Sequence, residues 1–148
     1  MLKPTKILVP TDFSEYSDKA LQQGIDIARQ YKAQVYLFHV LPTEFSHAFA
    51  DYAIPREAIE DFEKQQLDTA MENMKTQLAK FPKAKEAEVF IEIGKGVAYE
   101  EILKEEKKKG IDLIVIASLG RTGLAKYFIG SVSRNVLRHA ECPVLLTK

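Results

Sequence analysis

A chain of 148 residues with 46% hydrophobic and 28% charged side chains has the composition of an ordinary globular domain, long enough to bury a core. Its 21 basic and 21 acidic residues cancel, which argues against a nucleic-acid binder held by overall positive charge. A single cysteine, Cys142, excludes an intramolecular disulfide, and no cysteine–histidine spacing suits a metal.

The amino-terminal stretch MLKPTKILVPTDFSE has too short an apolar run for a signal peptide, and no run approaches the ~20 apolar residues of a membrane span. The expectation is one cytoplasmic domain over 1–148, with no membrane attachment. KILVP (6–10) reads as a buried strand. Leu21, Ile25, Ala28 and Tyr31 then recur at helical spacing, with Ser14 and Ser17 available as caps. QVYLFHV (34–40) is a second strand. LPTEFSHAFADYAIPREA follows, broken by Pro42 and Pro55. Its Phe45, Phe49 and Tyr52 suit a segment folded over a site or against a partner, or equally the packing of a long loop.

A long amphipathic helix comes next, with Ile59, Phe62, Leu67, Ala70, Met71, Met74 and Leu78 on one side and Pro82 at its end. AEVFIEI (87–93) alternates like an edge strand with one wet face. GKGVAYEEILKEEKKKG is a short helix between glycines, and its run Lys107–Lys109, preceded by Glu105 and Glu106, reads as a solvated helix end. DLIVIA (112–117) is apolar throughout, as a strand covered on both faces would be. After a glycine-bearing loop, Val132, Val136 and His139 or Ala140 recur at helical spacing, and PVLLT (143–147) is a fifth strand.

Alternating strands and helices imply a parallel sheet with helices on both faces, doubly wound, with a strand order such as 3-2-1-4-5. Ligands of such sheets sit beyond the carboxyl ends of the strands, where the winding reverses. That point lies between strands one and four, beside the loops PTDFSEYS and SLGRTGLAKYFIGS.

In the second loop, Gly130-Ser131 opens a helix. Its first amides and dipole favour an anion, by ~0.3–1 kcal/mol for the dipole alone. Glycine admits a phosphate close to the backbone. The Ser131 hydroxyl can donate to it, and Arg121 and Lys126 can neutralise charge from the rim. Against this, Gly120 and Gly123 suit plain turns, Ser131 a plain cap, and the two cations a solvated rim. In the first loop, Asp12 can accept from ribose hydroxyls, hold a divalent cation, or simply cap the first helix.

His39 reads as a packed strand residue, His139 as a helix-end residue favoured by the dipole, and Cys142 as a small packing side chain. No serine–histidine–aspartate or cysteine–histidine set has support, neither Asp12 nor Glu15 can be assigned as a base for water, and no P-loop or G-x-G-x-x-G motif is present.

KILVPTDFSEYSDKAL, VYLFHV and DLIVIASLGRTGLAKYFIGSVSRNVLRHAECPVLL together resemble the universal stress proteins along the whole chain, most specifically in the last segment. The resemblance implies the family's adenine nucleotide alpha hydrolase-like fold, with five strands in the order 3-2-1-4-5. ATP-binding members carry G-x2-G-x9-G-[ST], which falls on Ala117, Gly120, Gly130 and Ser131. By the same likeness Asp12 would meet the ribose and Val40 the adenine, with Pro10 and Thr11 also in the nucleotide site. Gly120, Gly130 and Ser131 would meet the phosphates, with Arg121, Val132, Ser133 and Lys126 as further contacts.

The ligand implied is ATP, or AMP or ADP, with magnesium or manganese. The activity implied is that of a small regulator or sensor with at most slow hydrolysis, dimeric through Pro143 to Thr147. Ala117 departs from the signature. If that position needs a left-handed backbone, alanine costs ~1–2 kcal/mol, about ten- to thirtyfold in affinity. Ala117 and Leu119 also suit the alternative, a member that has lost the nucleotide and works through protein contacts. A ligase-like or sulfur-transfer enzyme of related topology would want glycine after the first strand, and PTDFSEYS has none.

Overall fold

The computed structural model describes residues 2–43, 49, 51–119 and 129–148. The chain runs β1 (Lys6–Pro10), α1 (Glu15–Tyr31), β2 (Gln34–Leu41), α2 (Arg56–Ala79), a 3₁₀ turn (Pro82–Glu86), β3 (Glu88–Lys95), α3 (Ala98–Lys109), β4 (Leu113–Ala117), α4 (Ser131–His139) and β5 (Val144–Thr147). The strands form one parallel sheet in the order β3-β2-β1-β4-β5. Alternate side chains of each strand serve opposite faces. Ile7, Val9, Val35 and Leu37 pack with Leu21 and Ile25 of α1 and Met74 of α2. Leu8, Tyr36, Phe38, Ile114 and Ile116 pack with Ile102 of α3 and Val136 of α4.

The central seam is closed at one end and open at the other. At the amino ends, the Asp112 carboxylate accepts from the Thr5 amide at 2.9 and 3.0 Å and from the Lys6 amide at 3.0 Å, while the Asp112 amide donates to the Lys6 carbonyl at 3.0 Å. β1 then pairs with β4 only at Ile7↔Leu113 and Leu8↔Ile114, whereas it pairs with β2 along its whole length. The cause is visible in the backbone. The Thr11 amide points to β2, donating to the Phe38 carbonyl at 2.8 Å, so by alternation the Pro10 nitrogen faces β4. Proline has no N–H to offer, and the pairing stops there.

α1 begins at Ser14, whose hydroxyl accepts from the Ser17 amide, so Ser14 is the cap and Ser17 sits in the first turn. Helix α3 ends on Gly110, in the left-handed conformation (φ 65°) that glycine adopts without a Cβ clash.

Three expectations need correction. Tyr31, at the end of α1, is exposed. Of the apolar stripe on α2 only Ala70 and Met74 are buried, joined by the polar Gln77, and Leu67 is exposed, because α2 meets the core through its carboxyl-terminal half. Glu105 and Glu106 are not solvated: they are 7% and 3% exposed, three and four residues beyond the buried Ile102 and therefore on its face of α3. Glu106 accepts from the Glu141 and Cys142 amides, both at 2.8 Å, tying α3 to the turn before β5.

Candidate functional site

The parted ends of β1 and β4 leave a crevice of about 300 Å³. One wall comes from the β1–α1 connection, with Pro10, Thr11, Asp12 and Ser17; a second comes from the end of β2, with Phe38, His39 and Val40. Ala98 and Ile102 of α3 and Ile116, Ala117 and Leu119 at the end of β4 supply apolar surface, and Gly130–Ser133 brings in the start of α4. The structure therefore gathers Pro10, Thr11, Asp12, Val40, Ala117, Gly130, Ser131, Val132 and Ser133 around one space. Gly120, Gly123, Arg121 and Lys126 lie outside the described residues, as do His47 and Phe45. Phe49 packs edge-on against Phe62 of α2 at 5.2 Å, and Tyr52 is 78% exposed; neither lines the crevice.

The wall carrying Asp12 is a bent loop. Phe13 has φ 66°, a left-handed conformation that costs a side-chain-bearing residue ~1–2 kcal/mol. Two contacts hold it: its amide donates to Thr11 Oγ1 at 3.1 Å, and its ring lies 4.4 Å from that of His39. His39 in turn donates from Nδ1 to the Thr11 carbonyl at 2.7 Å, since a carbonyl can only accept. His39 thus lines the crevice half-buried, rather than lying in the core as its strand position suggests. Asp12 is not the helix cap: its Oδ1 accepts from the amide and hydroxyl of the cap, Ser14, at 3.0 and 2.5 Å.

The α4 wall is a helix start without a side-chain cap. Gly130 occupies the cap position and its amide donates to the Ser118 carbonyl at 2.7 Å. Arg134 is the first residue whose amide closes on a helical carbonyl, that of Gly130, so the amides of Ser131, Val132 and Ser133 precede the helical ladder. Gly130 has φ −58°, open to any residue, so glycine is not demanded by conformation there; what it offers is a backbone bare of Cβ. Ser133 is 5% exposed and donates its hydroxyl to the Ala117 carbonyl at 2.5 Å, tying α4 to β4. Ala117 is a strand residue with no positive φ, so the strained-backbone cost conditional on that position does not arise.

Elsewhere, burial and the Glu106 carboxylate push the Cys142 thiol up to about 12, in keeping with a packing role. Among the described residues no group of three or more histidine, cysteine or acidic side chains is placed to hold a metal ion, and no helix is long and apolar enough to cross a membrane. Sequence reading missed Ser17, Gln77, Phe13 and His39 at or behind the crevice wall. Gln77 carried a signal, falling three residues after Met74 on the buried stripe.

A doubly wound parallel sheet with a crevice of mixed apolar and amide lining at the switch point defines the class: an α/β protein open at the carboxyl edge of the sheet, where such folds take their ligands. The model of the universal stress protein family matches residues 4–148, and the chain belongs to that family. Universal stress protein MJ0531 of Methanocaldococcus jannaschii is 33% identical over 151 residues, covering 97% of this chain and 81% of the relative.

Among solved structures, universal stress protein UspA from Lactobacillus plantarum superposes with a TM-score of 0.79 at 23% identity over 100% of both chains. A universal stress protein in complex with cAMP matches at 0.63 and 21% identity, covering 99% of this chain and 98% of its own. One from Archaeoglobus fulgidus in complex with dAMP matches at 0.61 and 21%, covering 99% and 100%. At these identities the structures establish the fold.

Proposed function

We propose that the crevice binds an adenine nucleotide, ATP foremost with AMP and ADP as alternatives, and that the protein is a small cytoplasmic sensor or regulator in a stress response. The observation that carries the reading is the pairing, across one crevice, of a half-buried carboxylate, Asp12, with the uncapped start of α4. A carboxylate suits ribose hydroxyls, and helix-start amides suit phosphates. Val40, Ile102 and Ile116 give apolar surface of the kind a base packs on. Support also comes from the relatives solved with cAMP and dAMP.

In this reading Ser131, Val132 and Ser133 offer main-chain amides, the Ser131 hydroxyl adds a donor, and Gly130 leaves room for an oxygen to approach. Gly120 and Arg121 belong to the same proposed phosphate side. Magnesium or manganese would be held chiefly by phosphate oxygens, as such ions keep few protein ligands beside a nucleotide. No side chain at the crevice is assigned to activate water, so hydrolysis is slow at most. The protein is proposed to dimerise through Pro143 to Thr147, an apolar strand on the sheet edge that benefits from being paired.

A second reading has its own observation. Ala117 and Leu119 both line the crevice, with side chains where glycine would leave open space. A member so filled would have given up the nucleotide and would act through protein contacts. One experiment separates the two. Any small molecule carried by the purified protein is released by denaturation and identified, and magnesium-ATP is then titrated calorimetrically. Gly130→Asp, which puts bulk and negative charge at the helix start, abolishes the heat. Equal behaviour of wild type and variant, with nothing released, gives the protein-contact reading.

A further inference from the structure

Behind the Asp12 wall lies a buried side chain that none of the crevice chemistry uses. Gln77, on α2, is 3% exposed. Its Nε2 donates to Asp18 Oδ1 at 2.8 Å and to Ser17 Oγ at 3.2 Å. A carboxylate partner can only accept, which fixes the amide nitrogen on that side. Oε1 is therefore the atom facing Thr11, and it accepts from the Thr11 hydroxyl at 2.8 Å.

Thr11 Oγ1 also lies 3.1 Å from Ser17 Oγ, but its one proton goes to the shorter contact, Gln77. Thr11 Oγ1, its proton given to Gln77, accepts from the Phe13 amide. Ser17 gives its proton to the Ser14 carbonyl at 2.7 Å. Ser14 holds Asp12 through amide and hydroxyl. One amide group thus grips Thr11, directly before Asp12, and Ser17 and Asp18 in the first turn of α1, and, through Thr11, the left-handed bend at Phe13.

Packing does not demand an amide here. The other buried residues of α2 are Ala70 and Met74, which pack in the apolar core. What an amide does, and neither a leucine nor a carboxylate can, is accept from Thr11 on one side while donating to two oxygens on the other.

We infer that Gln77 is a positioning residue for the crevice: through Thr11, Ser17 and Asp18 it sets the loop that presents Asp12, and so governs how strongly the protein reads the sugar hydroxyls of its ligand. The inference rests on the nucleotide reading of the crevice and deepens it, naming what determines recognition of the sugar.

The test compares ATP with 2′,3′-dideoxy-ATP, which lacks the hydroxyls Asp12 would hold. Both are titrated calorimetrically into the full chain. Wild type prefers ATP. Gln77→Leu loses about tenfold in ATP affinity, the worth of one hydrogen bond, and keeps its affinity for the dideoxy analogue. Gln77→Glu supplies a second readout. Ionised at about pH 8, it cannot donate to Ser17 or Asp18, and the sugar preference is lost.

Retention of the wild-type preference in Gln77→Leu, or an equal loss for both ligands, overturns the inference while leaving the crevice reading intact. If Gln77→Leu does not fold, a wild-type sugar preference in Gln77→Glu at about pH 8 overturns it. A wild type that binds neither ligand brings down the crevice reading and this inference with it.

Discussion

Ala117 shows how one methyl group can be weighed from the backbone beneath it. It stands where the family signature has a glycine, yet it is an ordinary strand residue, 7% exposed, with its carbonyl tied to Ser133. No positive φ demands glycine. Ala117→Gly therefore relieves no strain; it adds freedom to the unfolded chain and removes packing, and lowers stability by about 0.5–1 kcal/mol. Urea unfolding with an unchanged m-value measures this, and a variant more stable than wild type would contradict it. The same scale explains why Phe13 tolerates its φ of 66°: the Thr11 hydroxyl and the His39 ring hold it from two sides, and the bend puts Asp12 in the crevice wall.

At the scale of the element, α3 is more than a cover for the sheet. Its Ile102 lines the crevice, and one turn later Glu105 is buried against Glu92 of β3. Burial, followed by the hydrogen bond to Glu92 and the repulsion between the two carboxyls, pushes Glu105 up to about 7, despite nearby Lys108 and Lys109. Burial alone would raise Glu92 as well, but the Glu105 hydrogen bond and the Lys109 ammonium, 2.6 Å away, outweigh it and leave Glu92 below its usual value.

The sign for Glu105 follows. Between its usual 4.5 and about 7 the folded form holds a proton that the unfolded chain has lost, so the contribution of Glu105 to stability is full below that window and is lost as pH rises through it. Glu105→Gln donates to Glu92 without ionising. Its melting temperature falls less than that of wild type between about pH 5 and pH 8, and at about pH 8 it is the more stable of the two. Parallel melting curves across this range would refute the assignment.

For the whole molecule, the proposed assembly gives the test. β5 forms one edge of the sheet, with Leu145 exposed. If two copies pair along this strand, Leu145→Lys, which charges the edge, shifts the protein to monomer in sedimentation velocity, while Leu67→Lys, on an exposed part of α2, leaves the mass unchanged. Equal masses for wild type and both variants would dismiss pairing along β5.

The strand order and the crevice position were legible at this scale because alternation of short apolar runs with helical periodicity leaves few topologies open. The glycine–serine opening of α4 and the acidic residue after β1 were legible as local chemistry. What lay beyond reach depends on which turns of a helix meet the core. Leu67 satisfies the periodicity of α2 yet is exposed, whereas Gln77 breaks the apolar pattern and is buried. Glu105 and Glu106 looked solvated because their charge was weighed before their place on the helix, three and four residues after Ile102.

The seam between β1 and β4 has a consequence of its own. Fastened near Asp112 and left unlaced beyond Leu8, it parts β1 from β4 like two leaves on a common spine. A guest lodged between them and touching both would act as a clasp, so the grip of the protein on its guest and the grip of its two halves on each other become one quantity.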